Sequence, residues 1–370
     1  MTFPRIMPGF HKEATAKHLK FCWLTEREAA YTALQACQRK HMKRFRSPLL
    51  FLLLLATTLS LFGCVRQKED GDAAALPVPG TVVPTEEKEA EPPRQTMVFL
   101  FFSDTQADPD TGDYSGVAKL IDRAVDREEK PELVLFGGDT VNNGGDDTEW
   151  LDFRREVGAA LDGLTTAAVA GNHDNNALLA GQFDYPRKAT DSSGTGFFYS
   201  LYFDPVFFLM LDSNKMGAAD QADIEWLRNE LRSDSAQGAV WRVAVMHHPM
   251  WPPVDIPKDL QRAETMREHF LPLLEANGID LILCGHQHVY SRTAPMSGGS
   301  EGVDKCGIVQ VVVASGGKGS YAAAERDNTF ADNAAATYLL LTADAGNLKI
   351  DAYNDADELI DSCVLSSVDQ

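Results

Sequence analysis

The sequence predicts an α/β fold whose functional groups gather along one edge of a sheet. Three observations predict it: apolar runs of strand length alternate with helical periodicity, five of those runs end in a polar cluster, and strand-like runs fill the C-terminal part.

The run 97–102 reads as a buried strand, and Val117, Leu120, Ile121 and Val125 recur after it at helical spacing. A second strand, 133–136, ends at Gly137-Gly138-Asp139. A helical stretch at 150–161 follows, and a third strand, 166–170, ends at Gly171-Asn172-His173-Asp174. Runs 197–202 and 206–211 read as a hairpin pair, and Ile224, Leu227 and Leu231 mark a helix. The strand 241–246 delivers His247-His248-Pro249. A helix at 263–276 precedes the strand 279–283, which delivers Gly285-His286-Gln287-His288. Runs at 308–314, 338–342, 348–353 and 359–364 read as closing strands. In α/β sheets, sites form at the carboxyl ends of the strands, where these clusters fall.

The chain has 370 residues, but its first quarter does not read as globular. Residues 40–46 are K-H-M-K-R-F-R, an apolar run fills 49–62, and Gly63-Cys64 follows. A charged segment before a short apolar one is the pattern of a signal peptide. The alternative is a membrane-spanning or buried helix, for which the run is short. Leu61-Phe62-Gly63-Cys64 resembles a bacterial lipobox, which implies lipidation at Cys64. We therefore expect a non-native extension at 1–41, a lipoprotein signal peptide at 42–63, a tether at 64–95 and one catalytic domain at 96–370. The expected location is extracytoplasmic, on a bacterial membrane. The tether is expected to be disordered, because residues 65–95 hold five prolines and no aromatic residue to bury.

Charge supports the same division. The whole chain carries 34 Lys and Arg against 54 Asp and Glu, a net −20. Residues 1–63 contribute ten basic and three acidic side chains, so the remainder stands at −27. So acidic a domain repels polyanions, and no nucleic-acid partner is expected.

Six histidines follow the leader, and five of them lie in the strand-end clusters: His173, His247, His248, His286 and His288. With Asp104 and Asp139 at two further strand ends, they form a set suited to metal ions. Carboxylate, imidazole and amide oxygen suit Mn²⁺, Fe²⁺ or Zn²⁺. Ser103-Asp104-Thr105-Gln106, Gly137-Gly138-Asp139-Thr140-Val141-Asn142, Gly171-Asn172-His173-Asp174, His247-His248-Pro249 and Gly285-His286-Gln287-His288, in that order, resemble the calcineurin-like metallophosphoesterase family. The resemblance spans about residues 97–315, and Val289-Tyr290-Ser291-Arg292-Thr293 looks like the branch containing the purple acid phosphatases.

That resemblance implies a four-layered α/β fold, two mixed β-sheets packed as a sandwich and flanked by helices. It implies two divalent metal ions, one on Asp104, Asp139 and His288, the other on Asp139, Asn172, His247 and His286, with Asp139 bridging. Phosphate mono- or diesters would be hydrolysed by in-line attack of a hydroxide shared by the metals. The substrate would be a phosphorylated small molecule or a lipid head group, with the membrane a partner through the anchor. His173 would lie just outside the metals and stabilise the phosphoryl group or protonate the leaving oxygen, oriented by Asp174; the alternative is a structural hydrogen bond. Asn172 and Arg292 would touch substrate, unless Arg292 pairs with a carboxylate. His248 is read as pocket wall or surface.

The pattern departs from the family at two positions. Many members have histidine where Gln106 stands, and the purple enzymes have a tyrosine ligand where Asn142 stands. Gln106 is then a weak oxygen ligand or a partner for bound water, and Asn142 a ligand or an ordinary turn residue. The departure implies unequal metals and no purple colour. It also motivates the alternative of a lipid-anchored binding protein on a catalytically silent scaffold. Cys284 is expected to be buried, and Cys306 with Cys363 are a candidate disulfide.

Overall fold

Strand β1 (Met97–Phe102) sends Phe99 and Phe101 into one apolar cluster and Leu100 and Phe102 into another. Successive strand side chains point to opposite faces, so β1 is covered on both sides. The computed structural model in which this is seen describes residues 96–108, 110–187, 198–298, 300–302, 307–332 and 336–367. The segments 1–41, 42–63 and 64–95, with the candidate lipidation site Cys64, lie outside the described residues, as does Cys306.

Helix α1 (Ser115–Val125) buries Val117, Leu120, Ile121 and Ala124 as one stripe. It returns the chain to β2 (Leu133–Phe136), parallel to β1 with Leu133 opposite Phe99. Helix α2 (Asp147–Val157) starts where the Asp146 side chain accepts from the Thr148 amide, satisfying a donor that the first turn leaves unpaired. Strand β3 (Thr165–Ala168) lies parallel to β2. The chain then enters a second sheet through the hairpin β4 (Tyr199–Phe203) and β5 (Val206–Leu211). Helix α3 (Gln221–Glu230) leads to β6 (Trp241–Met246), parallel to β5. Helices α4 (Pro257–His269) and α5 (Leu271–Ala276) lead to β7 (Leu281–Cys284), parallel to β6. Next come β8 (Tyr290–Thr293), the paired two-residue strands β9 (Met296–Ser297) and β10 (Ser300–Glu301), β11 (Val309–Val312) and β12 (Thr329–Asp332). The antiparallel strands β13 (Thr337–Ala343), β14 (Asn347–Asn354) and β15 (Leu359–Ser366) return to the first sheet.

Two mixed sheets result, ordered β15-β14-β13-β1-β2-β3 and β12-β8-β11-β7-β6-β5-β4. Between them lies a cluster including Phe99, Phe101, Leu133, Phe208, Val243, Leu283 and Leu341. Phe99 and Phe208 meet edge to face there, 4.9 Å between centroids. Outside the first sheet Val134 and Phe136 pack with Leu120, Ile121, Trp150 and Phe153, and outside the second Leu209 and Ile282 pack with Leu227, Met266 and Leu274. The architecture is therefore the α/β sandwich of two mixed sheets flanked by helices.

Element boundaries moved in two instructive places. The single helix expected at 263–276 is two helices that meet at Phe270, because Pro272 supplies no amide and disfavours helical backbone before it. The helix read at 150–161 begins earlier and ends at Val157, with a 3₁₀ turn over Gly158–Leu161. Strand β8 was not expected. Its sequence, Tyr290-Ser291-Arg292-Thr293, lacks an apolar run, yet all but Arg292 are buried. Cys284 is buried, and Cys363 is a free thiol. Among the described residues no helix is long and apolar enough to cross a membrane.

Candidate metal centre

Asp104 follows β1, Asp139 follows β2, Asn172 lies beyond β3, His247 follows β6, and His286 and His288 lie beyond β7. Each sheet thus supplies three of the six predicted side chains. Five of them converge: ligand atoms of Asp104, Asp139 and His247 all lie within 4.8 Å of one another, as do those of His247, His248 and His286, and His288 faces Asp104.

Four of the six have left-handed backbone. Asp104 and Asp139 have φ 51°, His286 71° and His288 43°. Such conformations cost non-glycine residues roughly 1–3 kcal/mol and cluster at functional sites. Here the curl of the backbone supplies contacts that a straight strand end would not. The Asp104 amide donates to Gly138 O at 2.9 Å, and the His286 amide to Asp104 Oδ2 at 2.8 Å. Two motif glycines are required by close approach. A Cβ at Gly171 would collide with the Asp139 carboxylate, and one at Gly285 with Ser103 Oγ and Asp104 Oδ2.

Each carboxylate is held by one oxygen and presents the other. Asp104 Oδ2 accepts from Ser103 Oγ at 2.8 Å as well as from His286, while Oδ1 faces His288 Nε2 at 3.3 Å. Asp139 Oδ1 accepts from the His173 amide at 2.8 Å, and Oδ2 faces His247 Nε2 at 3.4 Å. The imidazoles are fixed in the same sense. His247 Nδ1 lies 2.9 Å from Gly137 O and His288 Nδ1 3.0 Å from Gly319 O. A carbonyl only accepts, so both Nδ1 atoms carry a proton, and in the neutral imidazoles it is Nε2 that keeps the lone pair.

These atoms fit a divalent cation. Asp104 Oδ1, His247 Nε2 and Gln106 Oε1 are buried and have no hydrogen-bond partner, an arrangement that is costly unless something else satisfies them. Protons compete for the same place. Burial opposes charge on His247, yet the Asp139 carboxylate overrides it and raises the imidazole to about 9. Burial likewise pushes Asp139 upward, and His247 outweighs it, holding the carboxyl well below its ordinary range.

The remaining predicted residues divide. Gln106 is fully buried, its Nε2 donating to Val141 O at 3.4 Å and its Oε1 open. Asn142 donates through Nδ2 to Ala107 O at 3.0 Å. Asn172 is exposed, between Gly171 and His173, whose backbones both abut Asp139. His173 Nδ1 lies 2.7 Å from Asn142 O, which leaves Nε2 facing Lys318 Nζ at 3.0 Å.

Two readings are corrected. Asp174 does not orient His173; its carboxylate accepts from the amides of Asp139, Thr140 and Gly171 at 2.7, 3.1 and 2.9 Å, tying two ligand loops together. Burial, and then the Asp139 charge, raise it to about 7. Arg292 is not at the centre. It pairs with Asp361 of β15, Nε to Oδ2 at 2.6 Å and Nη2 to Oδ1 at 3.1 Å, which is the carboxylate alternative.

His248 is a buried wall residue, its Nδ1 2.9 Å from Ser213 Oγ and its ring 4.2 Å from that of His286. Burial and the two neighbouring histidines push its pKa far down, so it is neutral. Two participants were missed from sequence. Asp259 of α4, one of several acids in a charged helix, places Oδ2 3.1 Å from His286 Nε2 and accepts from Gln287 Nε2 at 2.9 Å. Lys318 lies in Ser315-Gly316-Gly317-Lys318-Gly319, whose glycines were the one available signal.

Residues 97–290 match the sequence profile of the family described as calcineurin-like phosphoesterase. Purple acid phosphatase 15 of Arabidopsis thaliana is 28% identical over 157 residues, which cover 40% of this chain and 29% of that protein. Among solved structures, purple acid phosphatase PPD1 from yellow lupin seeds superposes with a TM-score of 0.61 at 18% identity, over 74% of this chain and 54% of that one. GAP50, the anchor in the inner membrane complex of Plasmodium, superposes at 0.54 and 15% identity, over 73% of this chain and 89% of that one. The chain thus spans only part of the phosphatases it resembles, and at these identities the structural likeness is one of fold.

Proposed function

We propose, since the chain belongs to the calcineurin-like phosphoesterase family, that it hydrolyses phosphate mono- or diesters at a centre for two divalent ions of the Mn, Fe or Zn class. One observation carries the reading: Asp104 Oδ1 and His247 Nε2 are buried without a hydrogen-bond partner, and ligand atoms of Asp104, Asp139 and His247 lie within 4.8 Å of one another. Asp104, His288 and Gln106 would hold one ion and Asn172, His247 and His286 the other, with Asp139 between them. When bound, two such ions lower the pKa of a water and neutralise phosphoryl charge.

The reaction is then an in-line displacement at phosphorus by water. Gly137 O and Gly319 O hold the two imidazoles in the tautomer that offers Nε2. Asp259 holds His286 through its Nε2, which leaves Nδ1 for the ion. Asn142 O anchors His173 through Nδ1, so Nε2, which accepts from Lys318 Nζ in the resting site, is the atom that would take up a proton and pass it to the leaving oxygen.

The test is turnover of nitrophenyl phosphate and bis-nitrophenyl phosphate by the chain loaded with Mn²⁺, Zn²⁺, Fe²⁺ or Mg²⁺. His173→Ala is expected to lower kcat by about 10²- to 10⁴-fold, the usual worth of a general acid. Turnover that survives Asp139→Asn unchanged overturns the mechanism. Two bound ions without turnover on either ester favour the silent binding scaffold.

We further propose that Cys64 carries a lipid and that residues 65–95 hold the domain off a membrane; the support is the leader's charge and apolar pattern. Cys64→Ser should move the protein from the detergent to the aqueous phase with a loss of mass. Unchanged partitioning and mass would refute the anchor.

A further inference from the structure

Beside the centre, on the His173 side, lies a cleft of about 350 Å³ lined by Asp108, Tyr114, Glu149, Asp152, His173 and Lys318 among others. Its two ends differ in charge. At the inner end, the loop after β11 is pinned to the first motif, Ser315 N to Ser103 O at 2.8 Å and Gly317 N to Gln106 O at 3.0 Å. That pinning sets Lys318 Nζ 3.0 Å from His173 Nε2. His173 Nδ1 faces a carbonyl, so Nε2 accepts and the ammonium keeps two further N–H groups for an anion.

The outer wall is acidic. Glu149 and Asp152 stand three residues apart on α2, on one face of the helix. Each uses one oxygen: Glu149 Oε2 accepts from the Asn143 amide at 2.9 Å and Asp152 Oδ1 from Arg155 Nη1 at 2.6 Å. Among the described residues no hydrogen-bond partner meets Glu149 Oε1 or Asp152 Oδ2. Tyr114 also lines the cleft; it is buried with its hydroxyl near the Ala107 backbone, and no well-formed hydrogen bond meets that hydroxyl. A buried, unpartnered hydroxyl is an incomplete arrangement that a polar ligand completes. Arg155 offsets Asp152 and Lys318 stands opposite, but Asp108 and Glu149 add two more carboxylates to the lining, so the cleft disfavours a second anionic group and favours a cation.

We propose that this cleft seats the leaving group of the ester, and that it takes a small alcohol bearing an amine. Lys318 holds a phosphoryl oxygen at the inner end, and Glu149 with Asp152 hold the ammonium at the outer. The inference rests on the phosphoesterase reading of the adjoining centre. Water adds its oxygen to phosphorus, the bond from phosphorus to the alcohol oxygen breaks, and a proton from the water ends on that oxygen. No further co-reactant is needed.

The test compares kcat/KM of the full chain, loaded with Mn²⁺, on phosphoethanolamine, glycerol phosphate, phosphoglycolate and nitrophenyl phosphate. Phosphoethanolamine should exceed phosphoglycolate by about a hundredfold, with glycerol phosphate between them. Glu149→Gln, which keeps an acceptor for the Asn143 amide, and Asp152→Asn should each reduce that ratio about tenfold; the ratio is insensitive to a general loss of active protein. Hydrolysis of nitrophenyl phosphate with a ratio near one, or one unmoved by both substitutions, overturns the leaving-group assignment and leaves the phosphoesterase reading standing. Hydrolysis of bis-nitrophenyl phosphate but of none of these monoesters overturns the leaving-group assignment alone, and hydrolysis of neither kind of ester overturns both.

Discussion

Asp174 and Asp259 are both buried or half-buried carboxylates within reach of the proposed metal ligands, and they serve different ends. Asp174 accepts three backbone amides, and no other acceptor is shown for the Asp139 or Gly171 amide. Asp174→Ala is expected to cost about 3 kcal/mol or more, since each unsatisfied buried group costs about 1–3 kcal/mol; urea unfolding of the metal-free protein would show it. Asp259 touches a ligand instead of the backbone between ligands. Asp259→Ala should leave stability comparatively unchanged and weaken divalent-ion affinity about 10- to 100-fold, measured by calorimetry, as loss of a ligand's orienting carboxylate does. Equal ion affinity in the variant would remove Asp259 from the site. Neither role was legible in the sequence. Gly-Asn-His-Asp announces a site without saying which of its side chains faces the backbone, and Asp259 is brought to His286 by helix packing that no local pattern encodes.

At the scale of elements, the strands were legible because they are apolar and buried on both faces, so β1, β2, β5 and β6 coincide with runs read from hydrophobicity alone. Strand β8 escaped for the opposite reason. Its polar side chains are satisfied by partners elsewhere: Tyr290 Oη donates to Asp361 Oδ2 at 2.7 Å, and Arg292 pairs with the same carboxylate. Strands β8 and β15 belong to different sheets, so Asp361 fastens one sheet to the other at an edge. Burial raises the Asp361 pKa, but Arg292 and Tyr290 outweigh it and the carboxyl stays below its ordinary value. A depressed carboxyl stabilises the fold above its unfolded pKa of about 3.9 and loses that contribution as pH falls through its lower folded value. Asp361→Asn should therefore cost about 1–3 kcal/mol at neutral pH, with the gap to the parent closing below about pH 4. A gap that persists there would mean packing, not charge, holds this edge.

For the whole molecule, the two sheets contribute equally to the proposed ligand set, so an ion bound by Asp104 and His288, or by Asp139 and His247, would join them. An ion that binds only the folded chain stabilises it by RT ln(1 + [L]/Kd), about 4 kcal/mol at a thousandfold excess over Kd. Chelation should lower Tm by several degrees, and Mn²⁺ or Zn²⁺ should restore it; an unchanged Tm in protein shown to have lost its ions would mean that the sheets stay docked without help. The layered architecture was legible only through the order of the motifs, because pairing between distant strands leaves no local trace. That distance has a consequence in time. Strand β1, which carries the first ligand, lies between β2 and β13, with Met97 paired to Ala343. During synthesis Asp104 leaves the ribosome early, but its strand gains its second neighbour only after nearly the whole domain has emerged. The candidate centre is thus completed late in folding, since contacts of such long range are slow to form. An ion held at this centre would then be acquired where folding is completed, and the concentrations found there would bear on which metal it is.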